Sequence, residues 1–411
     1  MNTPPAAARA HRAHGMTLIE LMVALTVGMF LSLAAFGVLQ VAEGRKRSLT
    51  AVNDINQSGS YALYLIDKWV RSAGNGFVQT ASFGYGCALY AATSSSGTQT
   101  QVLPRTTAFP SPFDTVVSGV SGTLRLAPVL ILPDQTTPGV SGHTSDALVV
   151  MAGTSGTSNV LSLFSGFAAS GASGSGTISL VNTVGFNASD LVLVADQQST
   201  SGGGPANCMI QQVASGFSGG TATTLNLSGS YSTNTVDTQS LTDFTETSVA
   251  IDLGNGTNSP PQFQLIGVGD NNTLYTYDLL QTQSTPLQQV ADGVFELHAL
   301  YGIDTNNDGK ISDSEWFSPT ATGYTPSDLM NGSESANSVL QKIKAIRVGL
   351  ILRTALPEKA GSAQAPTATS ITLFDDLSSL SYTRTFSSAE QLYRYRKLEL
   401  TIPLRNNLLL N

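Results

Sequence analysis

Between Met16 and Gln40 the chain is apolar almost without interruption, 25 residues that carry one ionisable side chain, Glu20. As a helix, that length crosses a hydrocarbon layer of about 30 Å. A lone carboxylate inside it costs roughly 2.5–3.5 kcal/mol on insertion scales and is normally kept for a partner. From Ser48 onward Leu49, Val52, Ile55, Ala62, Leu63, Ile66, Trp69 and Val70 keep mostly to three- and four-residue spacing, which marks one buried helix face. Gly74-Asn75-Gly76 supplies a stop. The pattern therefore predicts one long helix from Met16 to about Ala73. Residues 16–40 form its membrane-spanning half, and residues 41–76 an amphipathic half packed under a globular head. Gly28 and Gly37 each lower helix propensity by roughly 1 kcal/mol against Ala, as points of local melting or of close helix packing.

Residues 77–260 alternate short apolar runs with Ser/Gly/Thr loops and read as a β-rich insertion or lobe without a fixed repeat. Its best strand candidates are Asp146 to Met151, Thr177 to Val181, Asp190 to Val194, Thr224 to Leu227 and Ser248 to Leu253. The low-complexity run Ala168 to Gly176 reads as a mobile loop. Residues 261–411 are more regular, with strands expected at Gln262 to Ile266, Thr273 to Leu279, Gly293 to Tyr301, Ile343 to Arg353 and Arg396 to Leu404. In the last, Leu398, Leu400, Ile402 and Leu404 alternate with Lys397, Glu399, Thr401 and Pro403, so one face is buried and the other wet. Pro403 lacks a donor and belongs at a sheet edge or strand end. The expected class is α+β, a long N-terminal helix laid across an antiparallel sheet.

Composition narrows the functional classes. The chain is 12% charged and 41% hydrophobic, with 39 glycines, which indicates long polar loops on a packed fold rather than disorder. Its net charge is −8 and argues against a nonspecific nucleic-acid surface. Only two cysteines occur, Cys87 and Cys208, both beyond the apolar run. In an exported domain they read as one disulfide rather than a metal site, which needs more ligands at closer spacing. The collar Glu43-Gly44-Arg45-Lys46-Arg47 would by itself suggest the opposite topology. The basic segment before Gly15 and the large export-like domain outweigh it.

Enzymatic signals are poor. His143 and His298 are far apart and form no H-E-x-x-H pair. Gly216-Phe217-Ser218-Gly219-Gly220 fits G-x-S-x-G, but a nucleophile elbow needs a strand before it and a helix after it, and Thr221-Ala222-Thr223-Thr224 follows. There is no G-x-x-x-x-G-K-[ST] loop, so a phosphate-cradling ATPase site is not expected in this chain. One constellation is sharp. Asp304, Asn306, Asp308, Lys310, Ser312 and Glu315 fall at positions 1, 3, 5, 7, 9 and 12 of D-x-[DN]-x-[DN]-G-x₅-E, with Gly309 at 6 and Lys310 offering its carbonyl. This is the pattern of a calcium loop. The strand before it excludes a full helix-loop-helix, and a chance acidic turn is the alternative.

The residues around the apolar run resemble the leader of type IV pilins and pseudopilins. Arg9, His11, Arg12 and His14 precede Gly15, then come Met16-Thr17-Leu18-Ile19-Glu20, with the acid fifth after the glycine. The resemblance implies a leader of residues 1–15, cleavage by a prepilin peptidase between Gly15 and Met16, and methylation of the new amine. Met16 departs from the commoner Phe. Loss of Arg9 and Arg12 from the 20 basic residues leaves 18 against 28 acidic, a net −10. Farther on, Ala291 to Asp304, Ile346 to Arg353 and Arg394 to Asn406 resemble minor pilins of the PilW kind, counterparts of the type II secretion pseudopilin GspJ. That resemblance implies a non-enzymatic subunit of a priming or tip complex that initiates pilus assembly and supports adhesion or twitching motility. It implies other minor pilins, the major pilin and a calcium-binding tip adhesin as partners. The implied location is single-pass in the inner membrane with a periplasmic C-terminal domain, then the pilus at the cell surface. Glu20 would neutralise the Met16 amine of a neighbouring subunit. The rivals are a GspJ-type pseudopilin and a membrane-anchored extracellular hydrolase using Ser218.

Overall fold

The computed structural model describes residues 15–95, 98–116, 124–136, 144–156, 160–171, 174–200, 203–219, 221–361 and 365–410. Leader residues 1–14, His143, Gly220 and part of the Ala168 to Gly176 run lie outside them. One helix runs Leu18–Ser72 and passes through Gly28 and Gly37 without a break. Thr17 caps its start, its hydroxyl accepting from the Glu20 N–H at 3.3 Å. Beyond Ser72 the chain turns through Ala73 into Gly74 and Gly76, both at positive φ.

The two halves of this helix differ in what covers them. From Leu18 to Val41 every residue is exposed. Ile55, Gly59, Ala62, Ile66 and Val70 are buried and lie on one face. Leu49, expected on that face, is 66% exposed, while its neighbour Ser48 is buried. Gly59 marks the closest approach: a Cβ there would meet Leu352 Cδ1 at 2.2 Å. The far end is tied down by Asn406, whose side-chain amide donates to the carbonyls of Ser72 and Ala73.

Beneath the helix lies an antiparallel four-stranded sheet in the order Trp316–Phe317, Val294–Ile303, Ile343–Arg353, Tyr395–Pro403. Tyr395–Pro403 is the edge, and Pro403 is its last residue, where a missing donor costs nothing. A second antiparallel sheet of five strands runs Leu287–Asp292, Thr273–Asp278, Gln262–Gly269, Ser145–Ala152, Val129–Thr136. It takes two strands from before residue 260 and three from after it, so part of the β-rich middle is built into the head. A third sheet of six strands carries Thr98–Leu103, Leu89–Ser95, Cys208–Gln212, Asp190–Asp196, Ser248–Asn255 and Leu161–Leu163. Within it Leu89–Ser95 and Cys208–Gln212 pair in parallel, with Leu89 opposite Cys208.

One hydrophobic core runs from the helix through all three sheets, and a second, smaller one lies on the other face of the six-stranded sheet around Phe164, Ile178, Leu225 and Phe244. Phe77 packs edge-on against both Tyr85 and Phe263. The Tyr85 hydroxyl donates to Asn407 Oδ1 at 2.7 Å, and the fully buried Asn407 amide donates to the carbonyls of Leu340 and Ile343. The chain's end is thereby fastened to the segment that follows the long helix. Cys87 and Cys208 form a disulfide with Cα atoms 5.7 Å apart, closing a separation of 121 residues.

Candidate functional site: an exposed apolar helix and an acidic loop

Gly15, Met16 and Thr17 are exposed and lie outside the helix, which begins at Leu18. A Cβ at Gly15 would meet nothing within 4 Å, so the peptide bond to Met16 stands clear of the fold. Glu20 lies in the first helical turn, where the unpaired N–H groups and the helix dipole favour negative charge. Among the described residues no cation lies within ion-pairing distance of it. The apolar surface around it, Leu18, Ile19, Met22, Val23 and Leu25, is 58–78% exposed. Exposed apolar surface of that extent on one helix calls for lipid or other helices around it.

The loop Asp304 to Glu315 folds around its own carboxylates. Asp304 is 3% exposed, and its two oxygens accept from the N–H groups of Asp308 and Gly309 at 3.1 and 2.9 Å. Asn306 Oδ1 accepts from the same Asp308 N–H at 2.9 Å, so oxygens from positions 1 and 3 converge on one point. Asp308 Oδ1 accepts from the Lys310 N–H at 2.8 Å. Asn307 and Gly309 turn the chain at positive φ. Glu315 closes the loop from the far side. Its Oε1 accepts from the Thr305 N–H and hydroxyl, and its Oε2 from the Ser312 N–H and hydroxyl, all at 2.9–3.0 Å. The Ser312 bonds, then those from Thr305, hold the Glu315 carboxyl down at about 2.

Among the described residues, the acidic side chains whose oxygens gather within 4.8 Å of one another are Asp375, Asp376 and Glu399, not those of the loop. The composition-based reading had not singled them out, although the Asp375-Asp376 pair was a visible signal. Basic groups already occupy this cluster. Arg347 holds Asp376 in a fork with both N···O distances at 2.6 Å and reaches Glu399 at 2.9 Å, and Lys397 lies 3.1 Å from Asp375. Ser218 is exposed and lies outside any helix or strand, and the next element described after it is a strand, Thr224–Leu227, not a helix.

A long helix with a bare apolar half and an antiparallel head gripping the other half fit a membrane-anchored protein of the type IV pilin class. Residues 265–406 match the family model of type IV pilus-assembly protein W, and residues 10–36 match the prokaryotic N-terminal methylation motif. These two matches, which together cover less than half of the chain, support a PilW-type pilin with a prepilin leader. No curated protein and no solved structure gives a match.

Proposed function

We propose that this chain is a minor pilin that joins others of its kind in a priming or tip complex, initiating pilus assembly and supporting adhesion or motility. One observation carries the reading: a helix unbroken from Leu18 to Ser72 is bare and apolar over its first half and locked into the head over its second. The bare half anchors the subunit in the inner membrane before assembly, with the head on the periplasmic side, and packs among the helices of other minor pilins and the major pilin afterwards. Glu20 serves that second state by meeting the Met16 amine of a neighbour once prepilin peptidase has cut after Gly15. In a low-dielectric helix bundle such a pair is favourable only if both members are present. Glu20→Ala should leave membrane insertion intact while abolishing or sharply reducing piliation. Intact-mass measurement should show a chain beginning at Met16. A retained leader in peptidase-competent cells, or normal piliation by the Glu20 variant, would defeat this reading.

Calcium at Asp304 to Glu315 belongs to the same proposal. The donor set fits a hard cation: side-chain oxygens of Asp304, Asn306, Asp308, Ser312 and Glu315, with the Lys310 carbonyl. Calcium supplies neutralisation of three carboxylates in one turn and tolerates a flexible oxygen shell better than magnesium does. Glu315 would have to exchange its bonds to Thr305 and Ser312 for the ion, and an ion shared by Asp304 and Glu315 would tie the strand ending at Ile303 to the one starting at Trp316. The thermal midpoint should rise with calcium in the wild type and not in Asp304→Ala or Glu315→Ala. An unchanged wild-type midpoint, or an equal rise in both variants, would reduce the loop to an acidic turn.

A further inference from the structure

The outer face of the five-stranded sheet carries a polar cavity of about 270 Å³ beside the far end of the long helix. Strand alternation builds it. Phe263 and Leu265 point into the core, so Gln262 and Gln264 point away from it. Gln264 lies opposite Asp278, and Thr276 opposite Gln288 on the next strand, which brings four polar side chains onto one face. Trp69, half-buried on the helix, lines it from one side, and Thr154, Ser259, Pro260, Pro261, Gln283 and Pro286 complete the wall.

Three features define what this cavity accepts. First, it presents no free charge. Asp278 is buried, and its carboxylate is committed to its own turn, accepting from the N–H groups of Leu280 and Thr282 and from the Thr282 hydroxyl at 2.6–3.1 Å. Secondly, it presents neutral hydrogen-bonding groups in excess of local demand. Among the described residues, neither the Gln264 amide nor the Thr276 hydroxyl makes a hydrogen bond, and Gln262 uses only its Oε1, toward Ser72 at 3.4 Å. Thirdly, its lining includes one aromatic side chain, Trp69, whose N–H is likewise unbonded among the described residues. Uncharged donor–acceptor pairs beside a single indole match a ring with hydroxyls around its rim and C–H groups on its face. The volume falls just under the roughly 300–1,000 Å³ of sites for drug-sized ligands, which leaves room for about one such ring.

We propose that this cavity is a carbohydrate-binding site that takes one neutral sugar residue, with Trp69 as its platform and Gln262, Gln264 and Thr276 reading the hydroxyls. Its placement suits an external ligand. At 1.5 Å per residue Trp69 stands about 40 Å along the helix from the end of the bare apolar half. The site is independent of the pilus reading, because sugar binding and piliation are measured separately.

The test uses the full mature chain in a detergent without a sugar head group. The protein has two tryptophans, so Trp316→Phe leaves Trp69 as the sole indole reporter. Glucose, galactose, mannose and N-acetylglucosamine are titrated against its emission, beside a glycan array probed with the same protein. At least one neutral sugar should give a saturable change in Trp69 emission. Gln264→Ala and Gln262→Ala should each weaken binding about tenfold or more, a loss of about 1.4 kcal/mol, at an unchanged melting midpoint. If no sugar gives a saturable response, or both variants bind as well as the parent, the assignment fails. It also fails if purified pilin subunits change Trp69 emission while every sugar leaves it untouched.

Discussion

His298 shows how a single residue can carry charge into the core. It is 8% exposed, its Nδ1 lying 3.7 Å from Asp146 and its Nε2 3.5 Å from the fully buried Glu296. Glu296 in turn accepts from Arg384 at 2.7 Å and from the Tyr382 hydroxyl at 3.0 Å, so one cluster joins the five-stranded sheet, the four-stranded sheet and the hairpin of Ser370–Leu373 and Tyr382–Thr385. Burial alone would lower the His298 pKa, but Asp146 and Glu296 outweigh it and raise it from its ordinary 6.5 to about 9. Because the folded value lies above the unfolded one, this stabilisation is fully present below about 6.5 and is lost as pH rises through about 9. The thermal midpoint should therefore fall across that window in the wild type. His298→Gln should start lower and show a flatter profile there, and parallel profiles would mean that another group controls the fall. The sequence showed only two histidines after Gly15 and made neither a ligand. That His298 is a buried cation depends on Asp146, 152 positions earlier, and no local pattern announces such a partner.

At the scale of elements, strand and helix signals were legible wherever one face repeats. Ile343–Arg353 coincides with its expected bounds, and the alternation of Leu398 to Leu404 matches a sheet with one covered face. Leu89–Ser95, Val129–Thr136, Cys208–Gln212 and Leu287–Asp292 were not foreseen, because they are short, carry polar or small residues, or lack a clean period. The helix spacing picked out Ile55, Ala62, Ile66 and Val70 correctly but missed Gly59, since a glycine carries no apolar signal. Yet Gly59 sets how closely helix and sheet approach. Gly59→Ala gains about 1 kcal/mol of helix propensity but drives a methyl into Leu352, which is fully buried and can shift little. Overpacking of this kind costs about 1–3 kcal/mol, so the variant should be less stable by about 1 kcal/mol. A urea midpoint at or above that of the wild type would show that Leu352 repacks freely.

For the whole molecule, long-range ties decide the architecture. The Cys87–Cys208 disulfide fastens the segment after the long helix to the six-stranded sheet across 121 residues. In the chain-entropy model a loop of that length is worth about 5 kcal/mol. Cys208→Ser should lose much of this in an unfolding titration, and reductant should do the same to the wild type. Two free thiols titrated in unreduced, denatured protein would overturn the assignment. The sequence by itself determined the features that depend on nearest neighbours along the chain: the bare apolar helix with Glu20 in its first turn, the glycine-led junction at Met16, the twelve-residue acidic loop, and the sheet strands with a strict period. Tertiary structure alone decided which strands share a sheet, that strands from residues 129–152 complete a sheet begun after residue 260, and that Arg347 and Lys397 claim the acidic cluster at Asp375. It also decided that Trp69, Gln264 and Thr276 meet around one cavity. The physical reason is range. Helix spacing, capping and turn chemistry act over a few residues, whereas strand pairing and burial are settled between segments hundreds of residues apart, where many partners are chemically acceptable and only the packed whole selects one.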